Sequence, residues 1–120
     1  PVRAAIRLSR TKAKQTDFAW APAVAPLTNR VVFNSPAGAI TKLAIANPGK
    51  TTATVTVGTR TVTIAPAASV SLVATAGQST AMKSSVPVAA SQVIDVGGLV
   101  SVLPVLDYKN LGGELKVLVR

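Results

Sequence analysis

The stretch Thr52-Ala53-Thr54-Val55-Thr56-Val57-Gly58-Thr59-Arg60-Thr61-Val62-Thr63-Ile64 decides the fold class. Two runs of alternating residues flank a Gly-X pair. A period of two belongs to a strand with one buried face, and a Gly-X pair between two such runs makes a hairpin with a two-residue loop. This reading turns Val55, Val57, Val62 and Ile64 toward a core and the threonines toward water. Valine and threonine are stiff at χ1 and suit a pleated surface.

The same grammar extends in both directions. Upstream, Ile40 to Ala46 sets Thr41, Leu43 and Ile45 against Ile40, Lys42, Ala44 and Ala46. Asn47-Pro48-Gly49-Lys50 then turns the chain, because proline presets φ at the second turn position and glycine accepts positive φ after it. Downstream, Ala65-Pro66-Ala67-Ala68 is a turn, and Ser69 to Ala74 alternates with Val70 and Leu72 inward. Short strands are also expected at Val31 to Phe33, Thr80 to Met82, Val86 to Ile94, Leu99 to Leu106 and Leu115 to Val119. At the start, Arg3, Ala5, Arg7 and Ser9 oppose Ala4, Ile6 and Leu8, a half-buried strand with its basic residues outward. Thr11 to Asp17 reads as a polar loop and Phe18 to Val24 as a strand. Pro22 and Pro26 confine that strand to an edge or a bulge, since proline cannot donate to a ladder.

No window carries an apolar i, i+3, i+4 stripe, so no helix longer than a turn is expected. About ten short strands with turn signals about every ten residues indicate an all-β antiparallel sandwich. The immunoglobulin-like or fibronectin-like form is the first expectation and the jelly roll the alternative. At 120 residues the chain is expected to form one domain, residues 1–120. A second expectation concerns its start. Pro1-Val2-Arg3-Ala4-Ala5 is echoed by Pro87-Val88-Ala89-Ala90, and Phe18 to Val24 by Leu99 to Val105, each an apolar strand around a proline. On that echo, residues 1–26 are the end of a preceding repeat in a tandem array.

The composition removes most chemistry. There is no histidine and no cysteine. The commonest general base, the thiol nucleophile and the soft-metal ligands are therefore missing. The acids are Asp17, Asp95, Asp107 and Glu114, and no loop holds two of them. Asp95 and Asp107 flank adjacent strands, but lone aspartates usually cap turn amides. The paired glycines Gly97-Gly98 and Gly112-Gly113 lack the spacing of a phosphate loop. The expectation is a non-enzymatic protein with no cofactor and no metal. No apolar run approaches the roughly 18 residues of a membrane helix.

Binding readings carry more weight. Lys and Arg number 13 against 4 acids, for a net charge of +9. Arg3, Arg7, Arg10, Lys12 and Lys14 crowd the first strand and loop. They form a candidate patch for a polyanion such as nucleic acid, teichoic acid or an acidic glycan. The simpler role for such charges is to guard an edge strand against pairing with other chains, and it is the one expected. Trp20 and Phe18, two apart, share one strand face. A sole tryptophan is expected to anchor the core; alternatively Trp20 stacks on sugar rings, with Tyr108 as a second glycan contact.

The segments Phe18-Ala19-Trp20-Ala21-Pro22, Leu43-Ala44-Ile45-Ala46-Asn47-Pro48-Gly49, Val62-Thr63-Ile64-Ala65-Pro66-Ala67-Ala68-Ser69 and Ser85-Val86-Pro87-Val88-Ala89-Ala90 resemble secreted and cell-envelope β-repeat proteins of actinobacteria, Ig-like and of unknown function. The resemblance implies an extracytoplasmic structural or adhesive module whose partners are proteins or neighbouring repeats. The chain departs from that pattern in its basicity. That charge leaves room for a virion or assembly subunit whose basic face meets nucleic acid. A carbohydrate-binding module using Trp20 is the third reading.

Overall fold

The computed structural model describes residues 5–12, 14–22, 26–27 and 30–106. Ten antiparallel strands are described: β1 (Ala5–Lys12), β2 (Gln15–Pro22), β3 (Val31–Ser35), β4 (Ile40–Ala46), β5 (Ala53–Val57), β6 (Arg60–Ile64), β7 (Ser69–Ala74), β8 (Gln78–Ser84), β9 (Ala89–Val96) and β10 (Leu99–Pro104). They form an all-β sandwich of two four-stranded sheets, β10-β9-β4-β7 and β3-β8-β5-β6, with β1 and β2 as a separate hairpin.

The hairpin at residues 52–64 folds as its alternation demands. Val55 pairs with Val62 and Ala53 with Ile64. Gly58 sits at φ 60°, where a side chain is strained, and a Cβ there would press on Thr80 Cγ2 at 3.3 Å. In β4, Thr41, Leu43 and Ile45 are buried and Lys42 and Ala44 exposed, as the alternation requires.

The pairing is nested. β3 pairs with β8, β4 with β7 and β5 with β6. These are the rungs of one long hairpin whose tip is the Gly58-Thr59 turn. Successive rungs fall in opposite sheets, which is the wrap of a jelly roll. An immunoglobulin arrangement would set β3 beside β4 and β9 beside β8; here β3 lies on β8 and β9 on β4. The core between the sheets is aliphatic, built on Leu27, Leu43, Ile45, Val55, Ile64, Met82 and Val88, with Phe33 its one aromatic among the described residues. Side-chain hydrogen bonds also join the sheets. Gln92 Nε2 donates to Asn34 O at 2.8 Å, and Arg60 Nη2 to Val73 O at 2.6 Å.

Three local expectations change. Thr11 to Asp17 is not a loop, because β1 and β2 pair from Ala5↔Pro22 to Lys12↔Gln15 around a two-residue turn. Lys14 takes φ 68° there, a conformation its composition does not advertise. The brief strand at Thr80 to Met82 is longer, since β8 is held between β3 and β5. Finally, β1 is not half-buried: Ile6 is 67% exposed and only Leu8 is partly covered. The hairpin rests on the edge of the sandwich instead of covering the core. The expected strand at Leu115 to Val119 lies outside the described residues.

Candidate functional site on the N-terminal hairpin

The hairpin of β1 and β2 carries most of the residues singled out by sequence, and its register sorts them onto two faces. Opposite residues of an antiparallel pair point the same way. Arg7, Ser9 and Thr11 therefore share a face with Trp20, Phe18 and Thr16. Thr11 and Thr16 hydroxyls hydrogen-bond across it at 2.9 Å. The Arg7 guanidinium lies 4.6 Å from the centroid of the Phe18 ring, a favourable placement over the π face. Trp20 is 59% exposed and Phe18 50%. The expected core anchor is thus on the surface, and Phe33, 4% exposed, takes the place inside. The reason is topological: Trp20 belongs to a strand outside both sheets of the sandwich, so neither face of that strand meets the core.

The opposite face holds Leu8, Arg10, Lys12 and Asp17 and docks on the sandwich. Arg10 forms a salt bridge with Asp95. Asp17 Oδ2 accepts a hydrogen bond from Val100 N at 2.8 Å. Asp95 Oδ1 also accepts from Gly98 N at 3.0 Å, capping the β9–β10 turn. The stem of Lys12 lies over Gly98 so closely that a Cβ there would come within 3.2 Å of it. Both aspartates thus serve backbone amides and the hairpin joint. Among the described residues no group of three or more His, Cys, Asp or Glu converges.

The sequence grouped Arg3, Arg7, Arg10, Lys12 and Lys14 as one patch, and the structure divides it. Arg7 is on the aromatic face, Arg10 is paired to Asp95, Lys12 packs on the β9–β10 turn, and Lys14 is at the hairpin tip. Arg3 and Tyr108 lie outside the described residues, as does Asp107. Sequence reasoning missed Lys42, which stands on the outer face of β4 beside a cleft of about 260 Å³ between β1 and the sandwich. The alternation of β4 placed it outward, but only the docking of the hairpin puts it near β1. Among the described residues no helix is long and apolar enough to cross a membrane.

The two hairpins have the same construction. β1–β2 and β9–β10 each close with two residues, and their second strands end at Pro22 and Pro104. In a two-residue hairpin the pair flanking the turn is hydrogen-bonded and pairs alternate from there. Counting back places Ala5↔Pro22 and Pro104↔Ser91 at non-hydrogen-bonded positions. A residue lacking an N–H is therefore tolerated at both. The echoed residues 1–4 and 23–24 themselves lie outside the described residues.

The model of a family described as "Family of unknown function (DUF5719)" matches residues 1–85, from the N-terminal hairpin through β8. No curated protein matches the chain, and no solved structure does.

Proposed function

The chain belongs to the DUF5719 family, and from that premise we propose that it is a non-enzymatic structural or adhesive module of a bacterial extracytoplasmic or cell-envelope protein, joined to neighbouring modules through its β1–β2 hairpin. One observation carries this reading. A hairpin built like β9–β10 lies outside the sandwich and is fastened to it by Arg10–Asp95 and Asp17–Val100. Such a hairpin suits a joint between repeated units. Absence of histidine and cysteine agrees with a role that needs no acid–base or thiol chemistry.

Light scattering across a salt series, with and without a short DNA duplex, tests it. The module reading expects a monomer indifferent to DNA at physiological salt. Self-assembly, or DNA binding that falls steeply with salt as counterion release requires, would favour the virion subunit.

The exposed Trp20, with Phe18 and Arg7 beside it, favours a second reading as a glycan-binding module. Trp20 emission that stays constant across a panel of neutral and acidic glycans would remove it.

A further inference from the structure

We infer that the open edge of β1 is a strand-acceptor site, and that its occupant is an extended peptide segment carrying acidic side chains. Among the described residues β1 pairs with β2 alone. The turn flanked by Lys12↔Gln15 sets the phase of the ladder, so Lys12, Arg10, Leu8 and Ile6 bond to β2. The N–H and C=O groups of Arg7, Ser9 and Thr11 point the other way, to the open edge. β9 supplies an internal precedent. Counted from its own turn, the matching positions are Ser91, Val93 and Asp95, and these pair with Ala44, Lys42 and Ile40 of β4. In one hairpin that edge holds a strand; in the other it is vacant among the described residues.

The cleft beside this edge suits a strand with one apolar face. Leu8 lines one side, and Ile40, Ala44, Val93 and Val100 the other, with the polar Lys42, Ser9 and Ser71 and the Arg10–Asp95 pair at its margins. Backbone groups on an open edge supply affinity, and pockets for alternate side chains supply selectivity.

Charge selects the occupant. Arg7, Lys12 and Lys14 stand on the hairpin and Lys42 across the cleft. The nearby acids are engaged, Asp95 by Arg10 and Asp17 by the Val100 amide. Antiparallel pairing of β1 with β1 of a second copy would bring two rows of Arg7, Arg10 and Lys12 together, and like charges across a ladder destabilise it. The cations that repel a second copy attract an acidic strand. The site needs only one chain and is independent of any array.

The test is an NMR titration of the whole chain with a terminally capped peptide alternating valine and aspartate, as long as β1 at 8 residues. Amide shifts are expected at Arg7, Ser9, Thr11, Lys42 and Val93, with a change in Trp20 emission, since Trp20 pairs with Arg7. The same peptide with lysine for aspartate should bind at least about tenfold more weakly, a difference readily resolved. Ser9→Pro should abolish binding and leave the hairpin intact, because Pro22 and Pro104 already occupy positions of the same phase. Four results would overturn the proposal: no shifts at these amides, equal binding of the lysine peptide, concentration-dependent shifts there without peptide, which would indicate a second copy, or protection of the Arg7, Ser9 and Thr11 amides from exchange in the free protein.

Discussion

Asn47 joins two turns of the sandwich through a buried polar side chain. It is buried, and its Nδ2 donates to Thr51 O at 2.8 Å and to Ile64 O at 3.0 Å. Its Oδ1 accepts from Gly49 N at 3.0 Å. Its backbone bonds both ways to the turn at Ala67 and Ala68. One side chain thus ties the turn after β4 to the end of β6. Asn47→Ala strands buried carbonyls without donors and should lower stability by roughly 2–3 kcal/mol, read as a lower denaturant midpoint at unchanged slope. Thr41 is the opposite case. It is fully buried, and its hydroxyl has no partner among the described residues. Thr41→Val removes an unmet polar group and should raise stability by about 1 kcal/mol in the same measurement. The Asn47-Pro48-Gly49 turn was legible in sequence, since each residue type has a local reason to be there. The reach of Asn47 to Ile64 was not, because it depends on which loops meet in space.

At the scale of elements, the β1–β2 hairpin and the sandwich are joined by a small number of polar contacts. Exposed ion pairs contribute little, and the Arg10 side chain is half exposed. The Asp17 carboxylate on the Val100 amide is therefore the contact to remove. Asp17→Ala should loosen the hairpin while the sandwich keeps its unfolding transition. Hydrogen exchange would show this as faster exchange at Val100, with the amides of β4 and β8 unchanged. A global loss of protection would mean that the hairpin is integral to the sandwich. Gly98 works at the same joint. At φ 97° it adopts a backbone that other residues resist, and the stem of Lys12 occupies the space of a side chain. Gly98→Ala should disturb the β9–β10 turn and the hairpin together. Sequence alternation located the first strand and the proline-marked edge of the second. It misread Thr11 to Asp17 as a loop, because polar residues in a hairpin that faces water on one side look like a loop when read singly.

For the whole molecule, a net charge of +9 on 120 residues makes association sensitive to ionic strength. Acidic peptides and polyanions should both bind more weakly as salt rises, but only strand addition should depend on the amide of Ser9. Comparing Ser9→Pro with the unaltered chain in a salt series therefore separates a specific edge from diffuse attraction. What the sequence determined by itself was whatever depends on short-range periodicity. The all-β class, the tip hairpin at Gly58-Thr59 and the inward residues of β4 and β5 follow from neighbours in the chain. Tertiary structure decided what depends on partners far apart. It placed β9 on β4 and β3 on β8, giving the nested order of the sheets. It put Trp20 on the surface and Phe33 in the core, divided the basic cluster between two faces, and brought Lys42 to the cleft beside β1. The physical reason is that alternation fixes which way a side chain points within its strand, but not what lies opposite that face. Each face of β1 and β2 could meet a core or water, and only the packing of the hairpin on β10 chose between them.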